Sequence, residues 1–177
     1  EVLHQQAREI GLDDARLPPL GIIAEVPAIT CQLDDFKDLA DFISVGTNDL
    51  VQYLLAVDRG SNTVAHLYSS FHPSVLRTLH EICIASRELK KEVTVCGEMA
   101  GVPAGALALM AIGYTRFSVL PARAPLLRHL AGRLEPRALE QLRRALLGEK
   151  KEAEIRHLLQ DAIAELDPAL ARVADHL

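Results

Sequence analysis

The sequence predicts an α/β protein built on a parallel sheet. Three observations carry that expectation. Short apolar runs, GIIAEVPA, DFISVG, EVTVC and RFSVLP, alternate with stretches of helical spacing. Several of those helical stretches open on proline and close on lysine or glycine. The chain is 49% hydrophobic but only 4% aromatic, with no Trp, which favours an Ala/Leu/Val-rich α/β protein over a β-sandwich.

In chain order, residues 1–16 read as the end of a helix and then a loop, broken by Pro18 and Pro19. GIIAEVPA is a buried strand reaching Pro27, and QLDDFKDLA a helix. DFISVGTND is the second strand, with a loop at Gly46, and DLVQYLLAV the helix after it, running out at DRGSNT. PSVLRTLHEICIASRELKK is a long helix, EVTVCGEMA the third strand, PAGALALMAIG a helix from Pro103, and RFSVLP the fourth strand. From Leu134 onward only charged, Leu/Ala-rich helical stretches remain, which read as packing helices. Glu152 and Arg156 stand four apart there and can pair on one face. Four strand–helix units make either a small open sheet or half of a (β/α)8 barrel, and periodicity does not choose between them.

With 177 residues the chain can bury one sizeable core. Its net charge of −5, without a long basic run, argues against nucleic acid. No apolar run approaches the roughly 18–20 residues of a membrane span, and no signal peptide is visible. Cys31, Cys83 and Cys96 are an odd set without metal-type spacing, which points to the reducing cytoplasm. Glu1 in place of an initiating Met reads as a piece of something longer.

Polar groups gather where core strands would avoid them. The first strand ends at Glu25, the second at Asn48 and Asp49, the third at Cys96 and Glu98. Sites of parallel α/β proteins assemble at the carboxyl ends of strands. Glu25 and Asp49 are oxygen donors suited to a hard cation such as Mg²⁺; the competing reading makes Asp49 a helix N-cap. VGTND places backbone N–H groups at a helix start, where an anion can bind. Arg59 either clamps a phosphate or carboxylate, or pairs with Asp58. Cys96 is a core filler, a nucleophile or a general acid. Cys83 reads as core, Cys31 as uninformative, and His66 and His72 as structural.

GIIAEVPA, FISVGTNDLVQYLLAVDRG, VAHLY and VTVCGEMAG, in this order over residues 20–121, resemble the C-terminal, phosphoenolpyruvate-binding domain of the phosphoenolpyruvate–protein phosphotransferases. These are enzyme I of the bacterial phosphotransferase system. Pyruvate phosphate dikinase and phosphoenolpyruvate synthase share the domain, but SVGTNDLVQYLLAVDR followed by HLY is closer to enzyme I. The helical tail and FSVLPARAPLLRHL resemble its nitrogen-related paralogue.

The resemblance implies the C-terminal half of a (β/α)8 barrel: residues 1–132 as its last four β/α units, and 133–177 as a helical tail. It implies that Glu25 and Asp49 hold Mg²⁺, that Asn48 and Arg59, with Asp49, meet phosphoenolpyruvate, and that Cys96 exchanges a proton with C3 of the enolpyruvate. The phosphoryl group would pass to a protein histidine and on to a phosphocarrier protein, in a cytoplasmic homodimer. The family's earlier phosphate-clamping arginines and its phosphohistidine motif are not in this sequence. The fragment alone is therefore expected to be inactive. The alternatives are a dikinase or synthase C-terminal domain, or a non-catalytic dimerisation or regulatory module.

Overall fold

Three of the apolar runs become one parallel sheet in sequence order: β1 (Gly21–Ala24), β2 (Phe42–Gly46) and β3 (Glu92–Cys96). The computed structural model describes residues 2–11 and 18–170. Gly21 pairs with Phe42 and Ala24 with Val45; across the next ladder Phe42 pairs with Glu92 and Gly46 with Cys96. Successive side chains point to opposite faces. Ala24, Val45 and Val95 therefore form a fully buried row against the helices. The row one residue earlier, Ile23, Ser44 and Thr94, lies on the opposite face, where Ile23 is 60% exposed and Phe42 40%.

The fourth strand expected at RFSVLP is reduced to a single bridge. Phe117 pairs with Val95, and two backbone bonds complete it: Val95 N–H to the Arg116 carbonyl at 3.0 Å and Ser118 N–H to the Val95 carbonyl at 2.8 Å. Pro121 then starts a one-turn 3₁₀ segment, Pro121–Arg123, which takes the chain out of the ladder. The first strand also ends earlier than expected, at Ala24. QLDDFKDLA does not form an α-helix. It holds the short 3₁₀ turn Leu33–Phe36, where only Leu33 is buried, so no apolar stripe exists to dock a longer helix.

The helices follow the punctuation more closely. They are α1 (Val2–Glu9), α2 (Thr47–Leu55), α3 (Pro73–Glu88), α4 (Glu98–Gly101), α5 (Pro103–Ile112), α6 (Ala124–Ala131), α7 (Pro136–Gly148) and α8 (Glu152–Leu166). The loop read after α1 falls mainly outside the described residues. His72 caps α3, its ring Nδ1 accepting the Ser74 N–H at 3.2 Å, which is a structural role as expected. Cys83 lies buried inside α3. The α5 helix is apolar on nearly every side and packs against α3, α6, α7 and α8. Leu146 from α7 and Ile155, Leu159 and Ile163 from α8 are buried in the same core. Glu152 and Arg156 pair at 2.7 Å, and the Arg156 guanidinium also reaches the Ser69 hydroxyl and lies over the Phe71 ring.

Candidate functional site

The site builds from the last rung of the sheet. Gly46 and Cys96 are register partners, so the chains leaving β2 and β3 start from one level. The two segments then lock together. The Thr47 hydroxyl donates to the Cys96 carbonyl at 2.8 Å, and the Asn48 Oδ1 accepts the Glu98 N–H at 3.0 Å. Gly97 makes this approach possible. Its φ is +109°, and a Cβ there would run into the Thr47 hydroxyl and stand 3.1 Å from Asn48 Oδ1.

Gly46 plays a matching part toward β1. A side chain on it would meet Glu25 Oε2 at 2.7 Å, so the half-buried Glu25 carboxylate lies over the glycine backbone at the end of β2. Asp49 sits in the first turn of α2, half-buried. It is not the N-cap: that position is Gly46, and no side chain caps the helix. The capping reading of Asp49 is thereby displaced. No group of three or more His, Cys, Asp or Glu side chains able to hold a metal occurs among the described residues. Two carboxylates without a third protein ligand form a donor set that fits Mg²⁺, which keeps waters and substrate oxygens in its octahedron.

Arg59 reaches back to the site from beyond α2. Its Nη1 stands 3.6 Å from Glu98 Oε1, and its guanidinium lies over the Tyr68 ring, 5.6 Å from the centroid. The pairing with Asp58 does not occur, because Asp58 Oδ1 accepts the Gly60 N–H at 2.8 Å and closes its own turn. The Tyr68 hydroxyl donates to the Asn48 carbonyl at 3.3 Å. Burial pushes the Tyr68 phenol above its usual pKa, and the nearby Arg59 charge pulls the other way.

Cys96 is half-buried, with two polar contacts. Its thiol lies 3.3 Å from the Val45 carbonyl and 3.6 Å from the Ser44 hydroxyl. It lines a cleft of about 660 Å³ together with Asn48, Glu98, Val102, Ser118 and Arg123. The Arg123 side chain makes no hydrogen bond or ion pair among the described residues and brings a positive charge to that cleft, which Glu98 also lines. The structure thus brings Glu25, Asn48, Arg59 and Cys96 to one edge, with Asp49 following Asn48 in the first turn of α2. The sequence reading missed Ser44, Thr47, Tyr68 and Arg123. The HLY run after DRG was the available signal for Tyr68, and the VGTND stretch took in Thr47; nothing marked Ser44 or Arg123.

Comparison with known proteins identifies relatives over most of the chain. The relatives include the "Phosphoenolpyruvate-dependent phosphotransferase system" protein of Salmonella typhimurium, 37% identical over 79% of this chain and 19% of its own length. The "Phosphoenolpyruvate-protein phosphotransferase" of Bacillus sp. (strain S) is 42% identical over 60% of this chain and 19% of its own. The protein of that name from Listeria monocytogenes is 34% identical over 91% of this chain and 30% of its own. The chain therefore spans less than a third of the length of these relatives. The profile described as "PEP-utilising enzyme, PEP-binding domain" matches residues 1–135, which include every strand and every candidate side chain. The motif resemblance and the sheet-edge geometry thus meet in one assignment: the chain belongs to the PEP-binding domain family of PEP-utilising enzymes.

Proposed function

We propose that this chain supplies the phosphoenolpyruvate and Mg²⁺ half-site of a phosphoenolpyruvate–protein phosphotransferase, which passes a phosphoryl group to a protein histidine and releases pyruvate. The observation that carries this reading is the interlock of the GTND and CGE segments, which holds Asn48 and Cys96 on one cleft beside two arginines. Glu25 and Asp49 would hold the cation. Bound there, Mg²⁺ supplies positive charge to the phosphoryl oxygens as they leave the enol.

The chain's own groups divide the remaining work. Asn48 offers its amide N–H donors to a phosphate, because its oxygen is committed to Glu98. Arg59, steadied by Glu98 and Tyr68, faces the same anion. Cys96 gives its thiol proton to C3 of the enolpyruvate. The C2–C3 π electrons take up that proton, the C2 oxygen becomes the ketone of pyruvate, and the thiolate regains a proton from solvent.

We further infer that the three strands and the Phe117 bridge are part of a (β/α)8 barrel, residues 1–132 being its last four β/α units and 133–177 the tail. The exposed Ile23 and Phe42 on the face opposite the helices support this, since that face would line the barrel interior. The same reading carries a cytoplasmic homodimer that receives a phosphocarrier partner, the arrangement the family resemblance implies. The dikinase and synthase alternative finds less support, because the relatives quoted carry phosphotransferase names.

The test is protection of Cys96. In the full-length protein, phosphoenolpyruvate with Mg²⁺ is expected to slow Cys96 alkylation at least threefold, and Glu25→Gln to remove the protection. Protection that is equal without Mg²⁺, or absent, overturns the reading. Residues 1–177 alone are expected to release no pyruvate with added phosphocarrier in a coupled assay; robust turnover would overturn the half-site assignment.

A further inference from the structure

Two contacts on the Cys96 sulfur differ in what they favour. The Val45 carbonyl, at 3.3 Å, can only accept, so it holds a thiol and repels a thiolate. The Ser44 hydroxyl, at 3.6 Å, can donate. A thiol has a single proton, and with that proton on Val45 the Ser44 O–H points at sulfur. A hydrogen bond to an ionised acceptor is about twice as strong as one between neutral groups. The Ser44 contact therefore gains strength when Cys96 loses its proton, while the Val45 contact is lost.

We propose that Ser44 is a positioning residue for Cys96: it aims the sulfur and stabilises the thiolate left after the proton has gone to carbon. The inference rests on the proposed phosphotransferase site and adds a residue to it. Strand geometry makes the pairing possible. Ser44 sits two residues before Gly46 on the same face, and Gly46 is the register partner of Cys96, so hydroxyl and thiol stand on neighbouring rungs. Thr94, the direct register partner of Ser44, completes the hydroxyl-bearing row. The side chain has no fold-building duty of its own, since the buried core row is Ala24, Val45 and Val95.

The step balances without an added reagent. The S–H bond breaks as the C3–H bond forms. The Ser44 proton stays on oxygen throughout, and solvent returns a proton to sulfur. The charged groups around this thiol are Glu25 from the end of β1, Asp49 from α2, Glu98 from α4 with its partner Arg59, and Arg123 across the cleft. None of them touches sulfur, which leaves Ser44 as the only side-chain donor on it among the described residues.

The test uses the full-length protein and two readouts. The first is the pH profile of Cys96 alkylation by iodoacetamide, followed by peptide mass, with exposed Cys31 as internal reference and buried Cys83 as a reporter of folding. Ser44→Ala is expected to raise the Cys96 midpoint by about one pH unit, with the Cys31 profile unchanged. The second is exchange of pyruvate C3 protons into D₂O, expected to fall about tenfold with the pyruvate KM unchanged. Ser44→Thr is expected to restore both. Ser44→Thr and Ser44→Val have nearly the same shape, so their difference isolates the hydroxyl even where the alanine variant loosens the sheet and exposes Cys83. Equal midpoints for the Thr and Val variants overturn the proposal. Wild-type protein that shows no exchange overturns the phosphotransferase reading instead, and the alkylation profile still decides the role of Ser44.

Discussion

The side-chain oxygen of Asn48 accepts the backbone N–H of Glu98 at 3.0 Å. One bond thus joins the segment after β2 to the segment after β3 and fixes which way the Asn48 amide faces. Asn48→Asp keeps the acceptor but replaces the two amide donors with negative charge. Expected is a fold of nearly unchanged melting temperature, with phosphoenolpyruvate binding weakened more than about tenfold, equivalent to about 1.4 kcal/mol. Titration calorimetry with Mg²⁺ present measures it. Asn48→Ala removes the link as well and should lower both affinity and melting temperature.

Gly97→Ala should be worse than its size implies. Its φ of +109° is strained for any L side chain, and the added methyl meets Thr47 and Asn48. Backbone strain alone contributes about 1–3 kcal/mol, and the contact adds to it. Urea unfolding should show that loss, and Cys96 alkylation should lose its sensitivity to phosphoenolpyruvate. A variant as stable as wild type would mean the two segments can part without cost.

Much of this was legible in the amino-acid order. The strands stood out as short β-branched runs ended by polar residues, and Pro73 and Pro103 marked helix starts that the structure keeps. RFSVLP misled because its composition is strand-like while only Phe117 has a ladder partner. The competing cap reading of Asp49 failed because a carboxylate in a first turn and one at an N-cap differ by a few positions and look alike in sequence. The partner of Arg59 could not be read at all, since Glu98 opens α4, far along the chain, and only the interlock brings it near. Ser44 was invisible for a simpler reason: a lone serine in a strand has no local signature, and its meaning comes from a sulfur fifty-two residues away.

The tail should prove integral to the fold. Leu107 of α5 is fully buried among helices that include α7 and α8. Leu107→Ala removes core volume from both the sheet-side layer and the tail, and should cost about 2–5 kcal/mol. Ile155→Val, which removes a single methyl from a fully buried side chain of α8, should cost about 0.5–1.5 kcal/mol. Chemical denaturation of both variants gives the comparison. A single cooperative transition for each would mean that sheet and tail unfold together.

Acid should loosen the end of α8 first. His129 Nε2 lies 2.8 Å from Asp167 Oδ2, and this bond is the main cause holding the Asp167 carboxyl below its ordinary pKa; the Ala169 N–H and Arg133 help. A carboxyl with a depressed folded pKa stabilises the fold above its unfolded value, near 3.9, and that stabilisation disappears as pH falls through the folded value. Melting curves between pH 5 and 3 should therefore show a loss that Asp167→Asn has already taken at pH 5. Carbon-detected NMR of the Asp167 carboxyl should give a midpoint below the usual range. A midpoint at or above that range would refute the pairing.

The thiol's location is also a matter of counting. Cys96 faces the cleft because it is the fifth residue of β3 and Gly46 the fifth of β2, matched rung by rung from Glu92 and Phe42. Side chains alternate, so parity decides which face a residue serves. Deleting one residue from Val93 to Val95 would leave composition, charge and helix propensity almost untouched. It would nonetheless turn the sulfur toward the helical core and leave Gly97 on the rung that Cys96 now holds. Along this strand a frame of two governs chemistry, and drift by one position turns a proton donor into packing.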